Sequence, residues 1–145
     1  MTYVPTPPPV PYPAHYIIDP VAFFAALIGA PILFTAMSFW FLFIPVFALV
    51  LGGPVYLIIG TPLLLWHLRY HDGDPDDLAL LAFKAMAVAM LAVLVFAAIS
   101  GDGDLFGAGL WLSGFGMIFG PAWAYCFGRL YANLRRDFFA KPRPF

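Results

Sequence analysis

The chain contains no glutamate, and its eight acidic residues are all aspartates. Only 10% of its 145 residues are charged, where soluble domains average about 25%. No charged residue occurs between positions 20 and 68, and a second uncharged run covers positions 105–128. That scarcity excludes an ordinary soluble domain, because a transmembrane helix needs about 20 apolar residues to cross roughly 30 Å of hydrocarbon. The first run alone is long enough for two crossings. A single cysteine, Cys126, rules out an internal disulfide and reads as a small apolar residue within a helix. The N-terminal stretch has no Lys or Arg and does not read as a secretory signal.

What is present is 63% hydrophobic and organised by proline and aspartate. The expected fold is an all-α membrane protein, a bundle of four transmembrane helices made of two helical hairpins behind a Pro-rich tail. Residues 1–19 carry six prolines, and proline lacks the N–H that a helix needs. This tail reads as a cytoplasmic spacer favouring polyproline II. The transmembrane domain is expected over 20–132, with spans at about 20–40, 45–68, 75–100 and 105–130, and a basic cytoplasmic tail over 133–145. Asp19-Pro20 and Asp74-Pro75 mark the starts of spans 1 and 3. In each, aspartate caps free N–H groups and proline occupies a position whose N–H had no partner.

Basic residues set the orientation. With four spans, Arg69, Arg129, Arg135, Arg136, Lys141 and Arg143 share one face, and the opposite connections hold no Lys or Arg. Both ends are expected in the cytoplasm of a bacterial inner membrane. Tyr16, Trp66, Tyr70 and Tyr131 are expected at the inner boundary and Trp40 at the outer one. "RRD" (135–137) reads as a lipid-facing anchor rather than a nucleic-acid patch.

Helices in lipid associate through close packing of small residues. Span 4 carries Gly116, Gly120, Ala124, Gly128 and Ala132 at four-residue spacing. Span 3 carries Ala82, Ala85, Ala89 and Ala92 on one face. The two stripes are expected to face each other, with a homodimer contact by span 4 as the alternative. Span 2 is broken by Pro45, Gly52, Gly53, Pro54, Gly60 and Pro62. Such breaks release backbone carbonyls that must find partners in protein or in a water-filled cavity.

The polar stretch "WHLRYHDGDPDDLALLAFK" (66–84) holds two of the three histidines and four of the eight aspartates. His67 and His71, four apart, are weak candidate metal ligands. A calcium loop starting at Asp72 fails, because its sixth and twelfth positions are Asp77 and Phe83 instead of glycine and glutamate. The aspartates read as helix caps, and neither a metal nor another cofactor is expected. Lys84 lies nine residues past Pro75, about 13 Å into the helix. An intramembrane charge is a functional suspect, although a lysine stem also snorkels to nearby headgroups. No triad-like set of serine, histidine and acid is apparent, so catalysis is not expected. These features point to a non-catalytic subunit or accessory factor whose partners are the bilayer and other membrane subunits or itself. The alternative is a small oligomeric transporter or channel, with Lys84 and the broken span 2 lining its path.

Overall fold

The computed structural model describes residues 16–38, 44–101, 103–136 and 139. The expectations for the Pro-rich tail through residue 15, and for Trp40, Lys141 and Arg143, fall outside these residues. Every regular element described is a helix: α1 (Pro20–Met37), α2 (Ile44–Val55), a π-helical turn (Tyr56–Gly60), α3 (Thr61–Tyr70), α4 (Pro75–Ser100) and α5 (Gly103–Leu134). The segments α2, π-turn and α3 run on as one 27-residue rod, Ile44–Tyr70. The rod, α1, α4 and α5 are four helices long and apolar enough to cross a membrane.

Local chemistry explains the boundaries. The Asp19 carboxylate accepts from the N–H groups of Val21 at 3.1 Å and Ala22 at 3.3 Å, opening α1 at Pro20. Asp74 does the same for α4, accepting from Asp76 N–H at 2.8 Å, and Asp76 and Asp77 fill the first turn. Gly101 ends α4 in the left-handed conformation, with φ +70°, and donates its N–H to the Ala97 carbonyl. The turn before α4 needs Gly73 for two reasons. Its φ is +81°, and a Cβ there would lie 2.5 Å from Leu68 Cδ2.

The π-turn falls between Pro54 and Pro62. Each proline removes one donor from the i→i−4 ladder and crowds the preceding turn, and the backbone between them widens to i→i−5 pairing. Gly60 fits there because a Cβ would meet the Tyr56 ring at 3.2 Å.

Packing is uneven. Helix α5 is the hub: it lies along α4 over most of its length and along α1 over much of it, while the rod touches its neighbours sparsely. One continuous core joins Ala22, Phe23, Ala26, Leu27 and Ala30 of α1 to Leu64 and Leu68 of α3, Leu78 of α4, and Ala124, Phe127 and Tyr131 of α5. All of it lies toward the end that holds Asp19. Phe23 meets Phe127 edge to face, with ring centroids 5.4 Å apart. Beyond this core Trp123 is buried beside Gly52 and Tyr56, and the remaining buried residues toward the other end, among the described residues, are scattered small ones: Pro31, Pro45, Ala48, Ala97, Gly109 and Ser113.

The α4–α5 seam sets glycines of α5 against larger side chains of α4. A Cβ on Gly128 would lie 2.8 Å from the Pro75 Cα, and one on Gly120 would lie 3.2 Å from Met86 Cγ. Gly116 lies against the Met86 methyl and Gly109 against Val93. Ala124 is buried in the core, whereas Ala132 is exposed. These glycines meet Pro75, Leu78, Met86 and Val93 of α4, and Ala97 on the same helix is also buried. Ala82 and Ala85 are half-buried beside this seam, while Ala89 and Ala92 are exposed. Alanine is small enough to line a seam and apolar enough to face lipid, so its spacing alone does not fix which way it points.

Candidate functional site

The densest polar arrangement joins elements far apart in the sequence. Arg136, just beyond α5, donates from Nε to Asp19 Oδ2 at 2.8 Å and from Nη2 to Oδ1 at 3.1 Å. This two-pronged pair has the geometry that makes guanidinium–carboxylate contacts strong. The Asp19 side chain is 1% exposed and that of Arg136 63% exposed. Hydrogen bonding to the Arg136 guanidinium, opposed by burial and assisted by the Ala22 N–H, holds the Asp19 carboxyl down at about 2. The same pairing raises Arg136 above its ordinary value.

Two further links complete a clasp. The Tyr131 hydroxyl accepts from the Asp19 N–H at 3.4 Å, and its ring stacks on Phe127, with centroids 5.8 Å apart. Arg135 lies over the Tyr131 ring at 5.6 Å and donates to the Asp72 carboxylate at 3.0 Å and to the Asp72 carbonyl at 3.2 Å. Upstream, the Tyr16 N–H donates to the Arg69 carbonyl at 3.1 Å. The start of α1, the α3–α4 turn and the end of α5 are thus tied at one end of the bundle.

The clasp adds to two expectations. Arg135 and Arg136 are engaged by aspartates of their own chain. Tyr131, expected at a boundary, is 2% exposed and belongs to the core. Sequence reasoning treated Asp19 as a helix cap only. The signal for its second role was available, because an even number of spans puts Asp19 and Arg136 at the same end.

His67 and His71 come together as a stacked pair. Their rings stack with centroids 4.3 Å apart and planes 6° from parallel. Imidazole lone pairs lie in the ring plane, so parallel rings direct them side by side instead of toward one point. His71 Nδ1 lies 3.2 Å from the His67 carbonyl, and His67 is buried. Among the described residues, no three His, Cys, Asp or Glu side chains gather as metal ligands.

Lys84 is exposed. On the 100°-per-residue helical wheel it lies opposite the Leu78–Met86–Val93 seam, so within one chain it faces away from α5. Cys126 is free and half-buried. Beside the π-turn, Tyr56 meets Trp123 edge to face, with centroids 5.5 Å apart. Tyr56 Oη, Trp123 Nε1 and Thr35 Oγ1 are buried without a hydrogen bond among the described residues. Comparison with known protein families, with curated proteins and with solved structures finds no match.

Proposed function

We propose that the chain is a multi-pass protein of a bacterial inner membrane, with both ends cytoplasmic, and that it serves as a non-catalytic subunit or accessory factor of a larger membrane complex. The observation that carries this reading is the uneven covering of its helices. The α2 part of the rod buries only Pro45 and Ala48. Phe47, Val50, Leu51 and Ile58 are each more than 60% exposed, and a Cβ on Gly53 would meet nothing within 4 Å. A helix with an open glycine is suited to close approach by another helix, and the described residues of its own chain leave that face uncovered.

A photoreactive residue at Val50 or Gly53 tests this in native membranes. The expected product is a discrete adduct with another membrane protein, with none from the same probe at buried Ala26. A mildly solubilised protein that runs as a lone monomer and yields only lipid adducts sinks the subunit reading.

The π-turn and the unpaired Tyr56 and Trp123 groups beside it support a second reading, a small oligomeric transporter or channel. Because Lys84 faces outward, any path it lines lies between copies. Reconstituted vesicles with no flux, or with flux unaltered by Lys84→Leu, remove that role.

A further inference from the structure

Asp72 and Asp19 occupy Arg135 and Arg136, which leaves two other arginines among the described residues at the same end of the bundle. Arg69 on α3 and Arg129 on α5 are exposed, and neither forms an ion pair with the described residues. On the helical wheel, Arg129 lies opposite the buried Ala124, Phe127 and Tyr131, five residues before the last residue of α5. That places it about 8 Å inside the helix end. Tyr125, 41% exposed, and exposed Asn133 lie one turn to either side on the same face. Arg69 likewise lies away from buried Leu64 and Leu68, beside Trp66, which is 59% exposed.

We propose that Arg69 and Arg129 are two local sites for the phosphates of anionic phospholipids, whereas Arg135 and Arg136 are structural. The proposal rests on the membrane reading above. A guanidinium on an outward face near a helix end reaches headgroup level along its apolar stem. Its planar fork matches two phosphate oxygens. At Arg129, the Asn133 amide supplies a further donor on the headgroup side, and Tyr125 supplies an amphipathic ring on the hydrocarbon side.

A diffuse positive field does not explain lipid attraction here. By sequence the same end carries Asp19, Asp72, Asp74, Asp76, Asp77 and Asp137 against Arg69, Arg129, Arg135, Arg136, Lys141 and Arg143. These charges offset one another beyond a Debye length of about 8 Å, so recognition depends on contact with a particular arginine.

The full chain, reconstituted in vesicles mixing phosphatidylcholine and phosphatidylglycerol, is examined by native mass spectrometry for retained lipid. The wild type should retain phosphatidylglycerol preferentially. Arg69→Gln and Arg129→Gln should each weaken that preference about fivefold, at about 1 kcal/mol per basic residue, with unfolding in pure phosphatidylcholine unchanged. Arg135→Gln and Arg136→Gln should unfold more easily in both lipids while keeping the preference. Preference surviving Arg69→Gln with Arg129→Gln, or lost in the Arg135 and Arg136 variants alone, overturns the proposal. Inorganic phosphate that displaces phosphatidylglycerol at millimolar concentration identifies a free-anion site and overturns the lipid assignment. Failure to float with vesicles of either composition overturns the membrane reading itself, an outcome distinct from loss of lipid preference.

Discussion

The two halves of this bundle are made of similar residues and held in different ways. Around Asp19, α1, α3, α4 and α5 interlock through Phe23, Leu68, Leu78 and Phe127, and arginine–aspartate pairs close the end. Toward the far end the helices carry equally large side chains, yet Phe47, Phe96 and Trp111 are each more than 60% exposed. Apolar content therefore does not determine order in such a chain. Close fit does, together with polar groups that fix how the ends meet, because in lipid an uncovered phenylalanine loses little by facing acyl chains.

The largest effect should separate the halves outright. Phe127→Ala is expected to cost about 3–5 kcal/mol through the cavity it leaves. Phe96→Ala, which removes the same ring from an exposed site, should stay within about 0.5 kcal/mol. Reversible unfolding in mixed micelles measures both, and equal losses would erase the distinction. A smaller contrast comes from adding atoms. Gly128→Val drives a side chain toward the Pro75 backbone and should cost about 1–3 kcal/mol. Gly114→Val meets open space and should be neutral or slightly stabilising, because valine has the higher helix propensity.

The clasp itself is tested by charge and by pH. Asp19→Asn should lower the thermal midpoint, and Arg136→Gln should lower it similarly. The Asp19 carboxyl titrates at about 2 in the folded chain, against an ordinary 3.8. Its contribution is therefore complete above about pH 4 and is lost as pH falls toward 2. Acid titration of the wild type should show that loss, and the slope should be absent from Asp19→Asn. The smallest effect belongs to Arg135→Gln. Its partner Asp72 is 66% exposed, and an exposed pair of this kind is worth about 0.5 kcal/mol.

Much of the architecture was legible in the sequence. Charge-free runs marked the long apolar helices, and each Asp-Pro pair gave a helix start, because capping depends on adjacent residues. What depends on distant residues was harder to read. The spacing of Ala82, Ala85, Ala89 and Ala92 identified a face without saying what it met, and the α5 glycines meet Met86 and Leu78 of α4. His67 and His71 share a face as their spacing requires, but ring orientation, which decides between stacking and chelation, is not encoded in spacing. The Asp19–Arg136 pair spans 117 positions and follows only from topology combined with the observation that Asp19 is buried.

The central claim is that one end of the bundle is fixed by the clasp while the other is loosely held. Paired spin labels in a Cys126→Ser background measure this directly, one pair at Tyr70 and Asn133 beside the clasp and a second at Phe47 and Leu112 toward the far end. Double electron–electron resonance in lipid nanodiscs should give a narrow distance distribution for the first pair and a broad one for the second. Adding Asp19→Asn should broaden the first alone. Equal widths at the two ends, or a first distribution unchanged by Asp19→Asn, would contradict the account.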